Sequence, residues 1–90
     1  TPMKKQIHDF TEFRKYYLSE YYFYDGEYFI TFNIVGIDLD RNEIRVAISD
    51  RGRISVITYD LYTNENGSLY FKYGTFYEYK IYLDDFEEVA

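Results

Sequence analysis

The segment Asp38-Leu39-Asp40-Arg41-Asn42 places oxygen-bearing side chains at alternate positions, the way a calcium loop opens its ligand set. The rest of such a loop is missing. Its sixth position is Glu43, where a sharp turn needs glycine, and its twelfth is Ser49, where a bidentate glutamate would complete the shell. The segment therefore reads as a polar hairpin turn. Sixteen acids create neighbours such as Asp84-Asp85 and Glu87-Glu88, but general acid–base chemistry needs a carboxylate tuned by burial beside a nucleophile or metal. The chain has no cysteine, a single histidine, His8, and no glycine-rich phosphate loop. Nucleophilic, zinc and nucleotide chemistry lack their usual parts, so the sequence predicts a protein that is not an enzyme and takes no metal or cofactor.

Three groups of residues suit binding instead. Asp60, Glu65, Glu78, Asp84, Asp85, Glu87 and Glu88 stand against only Lys72 and Lys80 in residues 54–90, making an acidic lobe. Tyr62, Tyr70, Tyr77 and Tyr79 add hydroxyl acceptors among these carboxylates, a pattern able to compete with nucleic acid for a basic groove. The second group, Tyr22 and Tyr24 with Asp25 and Glu27, forms an acid-fringed aromatic patch suited to another protein. The third, Arg41, Arg45, Arg51 and Arg53, would suit single-stranded nucleic acid beside stacking rings, but Asp38, Asp40, Glu43 and Asp50 nearly cancel it. A net charge of −6 favours a basic protein partner over direct nucleic-acid binding.

The elements that must position these groups follow from periodicity. Asp9-Phe10-Thr11-Glu12 has capping-box spacing, and Phe10, Phe13, Tyr17 and Tyr21 recur at helical intervals, predicting an amphipathic helix to about Glu20. Beyond Tyr21 the period becomes two. Tyr28, Ile30, Phe32 and Ile34 share one strand face, and Phe29, Thr31, Asn33 and Val35 the other. Asp25-Gly26 reads as a two-residue hairpin pairing Tyr24 with Glu27 and Tyr22 with Phe29, with Phe29 and Phe32 both structural. A competing reading carries the helix through Tyr24 and caps it with Gly26. Turns are expected at residues 40–42, 50–52 and 64–67, strands at 43–49, 53–62, 68–73 and 75–83, and a helical turn from Asp84.

The sequence thus predicts one α+β domain over residues 3–90: an N-terminal amphipathic helix packed on a curved antiparallel meander of about five strands. Thr1-Pro2 reads as a remnant preceding a native start at Met3. The runs 29–35 and 54–59 are apolar on both faces, so the sheet is expected to curve, partly close or meet another subunit, a homodimer being one candidate. A chain of ninety residues buries only about 60–65% of the surface its unfolded form exposes, so its 21 aromatic rings cannot all be hidden. No apolar run approaches the roughly 20 residues of a membrane span, which with the absence of cysteine points to the cytoplasm.

In size, acidity and tyrosine content the whole chain resembles the small inhibitor proteins of phages and mobile elements of low-GC Gram-positive bacteria, in particular anti-CRISPR inhibitors of type II-A effectors. The resemblance rests on no motif and assigns no residue a role. It implies a non-enzymatic inhibitor in a bacterial host cell that occupies the basic nucleic-acid channel or a docking site of a nucleic-acid-processing machine such as a CRISPR effector nuclease. A single-strand nucleic-acid binding module and a phage accessory or assembly protein are the alternatives.

Overall fold

The computed structural model describes residues 16, 17 and 19–88. The strands are β1 (Ser19–Tyr24), β2 (Phe29–Asp38), β3 (Glu43–Asp50), β4 (Arg53–Asp60), β5 (Tyr62–Thr63), β6 (Leu69–Tyr73), β7 (Tyr79–Tyr82) and β8 (Glu87–Glu88). They form two antiparallel sheets, one of five strands ordered β4-β3-β2-β1-β8 and one of three ordered β5-β6-β7. The period-two pattern of β2 and β3 explains why the sheets pack. Ile30, Phe32 and Ile34, with Ile44, Val46 and Ile48, are buried on one face of the large sheet. They meet Phe71 of β6 and Ile81 of β7, with Leu61, Leu83 and Phe86 closing the core. Each such side chain stabilises the fold by about 1.5–3 kcal/mol relative to exposure.

The expected α+β arrangement is corrected. Among the described residues 62% are strand and no helix reaches seven residues, so the described fold is mostly β, and no N-terminal helix packs on the sheet among those residues. What covers the apolar face of the large sheet is the second, three-stranded sheet. Most of the expected helix, residues 9–15 with Leu18, lies outside the described residues, and only Tyr16 and Tyr17 are helical. From Ser19 the chain is already strand, which also overturns a helix through Tyr24. The reason is local: Tyr21 and Phe23 alternate with Tyr22 and Tyr24, and an alternating run fits a half-buried strand.

Two further corrections concern register and breaks. Tyr24 pairs with Phe29 and Tyr22 with Thr31, so the β1–β2 connection is a four-residue loop over Asp25-Gly26-Glu27-Tyr28. The shift moves pairing by two positions, which leaves every side chain on its expected face. The expected strand 53–62 divides at Leu61, whose buried side chain turns into the core while its amide donates to the Asn42 carbonyl at 2.7 Å. That division sends the chain from the first sheet into the second. The turns at Asn42 and Arg51-Gly52 occur where expected, Arg51 and Gly52 both having positive φ as a two-residue hairpin requires. A bulge between Ile34 and Gly36 moves Val35 outward and lets Ile37 face Ile44. Asp84 lies in the short 3-10 turn Leu83–Asp85.

Candidate interaction site at the loop end

The Asp25 carboxylate organises the β1–β2 loop. Its Oδ1 accepts from the amides of Glu27 and Tyr28, both at 2.8 Å, while its own amide donates to the Tyr28 carbonyl. The Tyr24 hydroxyl donates to the Gly26 carbonyl at 2.9 Å. These amide donors, Tyr28 first and then Glu27, hold the Asp25 carboxyl below its ordinary pKa, and the nearby Arg51 adds to the effect.

The β3–β4 turn meets this loop. The Arg51 guanidinium lies 4.4 Å from the centre of the Tyr28 ring, a cation–π distance. Its other partner is Asp50, bound through two hydrogen bonds of 2.8 and 3.0 Å. The third contributor is the base of the β6–β7 loop. Tyr73 and Tyr79 are paired across β6 and β7, and both rings pack on Phe23 at 5.5 and 5.0 Å. Burial pushes the Tyr73 hydroxyl pKa up, helped by the charges of Asp50 and Asp25. From this pair springs a loop that carries Phe76, which is 95% exposed, and the exposed Tyr77. Gly74 starts the loop at φ 121°, where any Cβ would overlap the Tyr77 carbonyl.

One end of the protein thus brings together the β1–β2 loop, the β3–β4 turn with its Arg51, and the base of the β6–β7 loop, and exposed rings stand on the β1–β2 hairpin and on the β6–β7 loop. Tyr22, Tyr24 and Phe29 are exposed on the outer face of β1 and β2, with Tyr24 and Phe29 in contact at 4.9 Å. Of the residues singled out from sequence, Tyr22, Tyr24, Asp25, Glu27, Tyr77 and Tyr79 belong to this end.

The remaining candidates are dispersed. Tyr62 and Tyr70 stack at 5.5 Å and Tyr70 continues to Tyr82, forming a ladder on the outer face of the small sheet. Lys72 lies 4.6 Å over Tyr62 and Lys80 lies 5.2 Å over Tyr70, so this tyrosine face carries cations as well as hydroxyls. Asp60 and Glu78 share a shallow depression with Lys72, and Glu65 sits in the turn after β5. Asp84 accepts from the Tyr16 hydroxyl at 3.0 Å, with Asp85 beside it in the 3-10 turn. Glu87 pairs opposite Glu20 and Glu88 opposite Ser19 at the β8 edge. The acids of the C-terminal lobe therefore occupy several surfaces, and no group of three among the described residues converges as a metal site. Arg45 lines a groove of about 510 Å³ with Arg41, Asp38 and Glu43, while Arg51 and Arg53 lie by the other turn.

Sequence reading missed Phe29 and Phe76 as members of the loop end, and it grouped Arg51 with Arg41, Arg45 and Arg53 without seeing its place over Tyr28. Phe29 alternates out of register with the core residue Phe32, and that parity was the available signal. For Phe76 there was none, because its segment reads as a continuous strand.

No protein-family model matches the sequence, and no curated protein or solved structure does. No helix among the described residues is long and apolar enough to cross a membrane.

Proposed function

We propose that the protein acts without catalysis, by docking its aromatic loop end on another protein. The observation that carries this reading is the exposure of Tyr24 and Phe29 at the paired ends of β1 and β2, and of Phe76 and Tyr77 on the loop between β6 and β7. Rings held on a rigid scaffold lose little conformational freedom on binding, and aromatic anchors supply most of the energy at protein interfaces. Asp25 and Glu27 fringe the rings, and the chain carries a net charge of −6, so the partner presents a basic surface.

Taken with the resemblance in size and composition, the function is inhibition of a host nucleic-acid-processing machine, of which a type II-A CRISPR effector nuclease is the named candidate. The protein would occupy a site that nucleic acid or a docking partner otherwise uses. A single-strand binding role is less well supported, because Arg51 is already engaged by Asp50 and Arg41 lies 3.9 Å from Asp38.

A DNA-cleavage assay with a type II-A effector tests the inhibitor reading: the protein should slow cleavage, and Tyr24→Ala with Phe29→Ala should relieve the inhibition at least tenfold. Full cleavage in the presence of about 10 μM protein, far above a working inhibitor's Kd, would refute it for that effector. The broader docking reading is tested by affinity capture from a low-GC Gram-positive lysate. If the doubly substituted chain retains the same proteins as the wild type, the loop end is not the docking surface.

A further inference from the structure

Arg51 stands where turn chemistry does not favour it. It is the first central residue of the two-residue β3–β4 turn and has φ 52°, followed by Gly52 at 85°. Glycine, asparagine or aspartate is the usual residue at that position, because glycine has no Cβ to crowd the backbone and a short polar side chain can bond to it locally. Among the described residues Asn42 is the other non-glycine at positive φ, and it is of the usual type. A long side chain held on a strained backbone points to a role for that side chain.

Two partners fix where the side chain lies. Nε and Nη2 of its guanidinium donate to the two Asp50 carboxylate oxygens at 2.8 and 3.0 Å. A planar fork bound at two points has a defined direction, which a single contact would not give. That direction carries the guanidinium across to the β1–β2 loop, 4.4 Å from the centre of the Tyr28 ring. A cation at that distance attracts the ring face. Tyr28 connects this contact to the docking rings. Its amide, with that of Glu27, donates to Asp25 Oδ1, and its carbonyl accepts from the Asp25 amide, so fixing Tyr28 fixes the loop. In the same loop the Gly26 carbonyl accepts from the Tyr24 hydroxyl, and the Tyr24 ring lies against Phe29 at 4.9 Å.

We infer that Arg51 is a positioning residue: from the neighbouring turn it clamps the β1–β2 loop and so holds Tyr24 and Phe29 in the arrangement that docks. The inference rests on the docking reading of this loop end and deepens it by naming a residue that acts through the loop. The Arg51 side chain is 54% exposed, so solvent weakens its contacts and the clamp shifts loop opening by about two- to fivefold.

The variant that separates this role from general support of the fold is Arg51→Asn, which removes both contacts while giving the turn a preferred residue. Its melting temperature should stay within about 4 °C of the wild type. In the free protein, solvent exchange at the Glu27 and Tyr28 amides, read by NMR, should quicken about two- to fivefold. The Asp25 titration midpoint should move up toward the ordinary value as the cation and the amide bonds weaken. Arg51→Lys keeps a cation beside the ring without the fork and should recover part of the protection. In a Tyr28→Leu background, which lacks the ring, Arg51→Asn should lose most of its effect on exchange. Unchanged exchange and an unchanged Asp25 midpoint in Arg51→Asn overturn the clamp, as does full additivity with Tyr28→Leu. A larger fall in melting temperature overturns it too, since Arg51 would then support the whole fold. In the DNA-cleavage assay with a type II-A effector, Arg51→Asn should need about two- to fivefold more protein for equal inhibition. Equal potency overturns the positioning role. An effector that the wild-type protein does not slow refutes the inhibitor reading for that effector, and amide exchange then decides the clamp by itself.

Discussion

Phe29 and Phe32 lie three positions apart on one strand and do opposite things. Phe32 is fully buried and touches Tyr21, Phe23, Phe71 and Tyr73, with ring centres 5.0 to 6.2 Å away. Phe32→Ala should cost about 3–5 kcal/mol, which urea denaturation will read as a large fraction of a total near 5–15 kcal/mol. Phe29 is 67% exposed, and Phe29→Ala should change stability by no more than about 0.5 kcal/mol in the same experiment. The sequence presents both as core candidates because residues 29–35 offer no charged residue to mark the outer face. Asp25 provides a pH test at the same scale. Its carboxyl is held below the ordinary value by the Tyr28 and Glu27 amides. A depressed pKa means that the loop order it supports is complete above the ordinary aspartate value of about 3.9 and is lost as pH falls through the lower folded value. The amide chemical shifts of Glu27 and Tyr28 should follow that titration, with a midpoint below the ordinary value. A midpoint at or above it would mean that the carboxylate does not hold the loop.

The elements were legible where side-chain alternation and turn chemistry agree. β2, β3 and the turns at Arg51-Gly52 and Asn64 fit their expected places, Asn64 accepting through Oδ1 from the amides of Asn66 and Ser68. They were not legible where an apolar strand changes sheet. Leu61 sits in a run that reads as uninterrupted strand, and only its tertiary bond to Asn42 and its burial reveal the break. The covering layer was misassigned for a related reason: an apolar sheet face requires a cover, but its pattern does not say whether helix or sheet supplies it. The candidate site was legible only in part, since Tyr22, Tyr24, Asp25 and Glu27 are adjacent in sequence whereas Phe76 reaches the loop end through the β6–β7 pairing. Gly74 is the element-scale test of that loop. At φ 121° and against the Tyr77 carbonyl, a side chain meets both backbone strain and overlap. Gly74→Ala should therefore destabilise the protein by about 1–3 kcal/mol in thermal unfolding. An unchanged melting temperature would show that the loop rearranges without cost.

For the whole molecule, the same charge that favours a basic partner works against folding. A net charge of −6 on a small domain repels itself, and the fold sharpens this by setting Glu20 opposite Glu87 and aligning Asp38, Glu43 and Asp60 across three strands. Added salt should relieve that repulsion, because at about 0.15 M the screening length is only ~8 Å. Attraction between the acidic protein and a basic partner should be screened by the same ions. The two readouts therefore move in opposite directions: from about 20 to 300 mM sodium chloride the melting temperature should rise while partner affinity falls. The aromatic contacts at the loop end are mainly apolar, so affinity should level off at high salt instead of vanishing, and that remainder should be what Tyr24→Ala and Phe29→Ala remove. A melting temperature that falls with salt would mean that favourable pairs such as Arg51 with Asp50 outweigh the repulsion. An affinity indifferent to salt would leave the rings alone as the basis of docking.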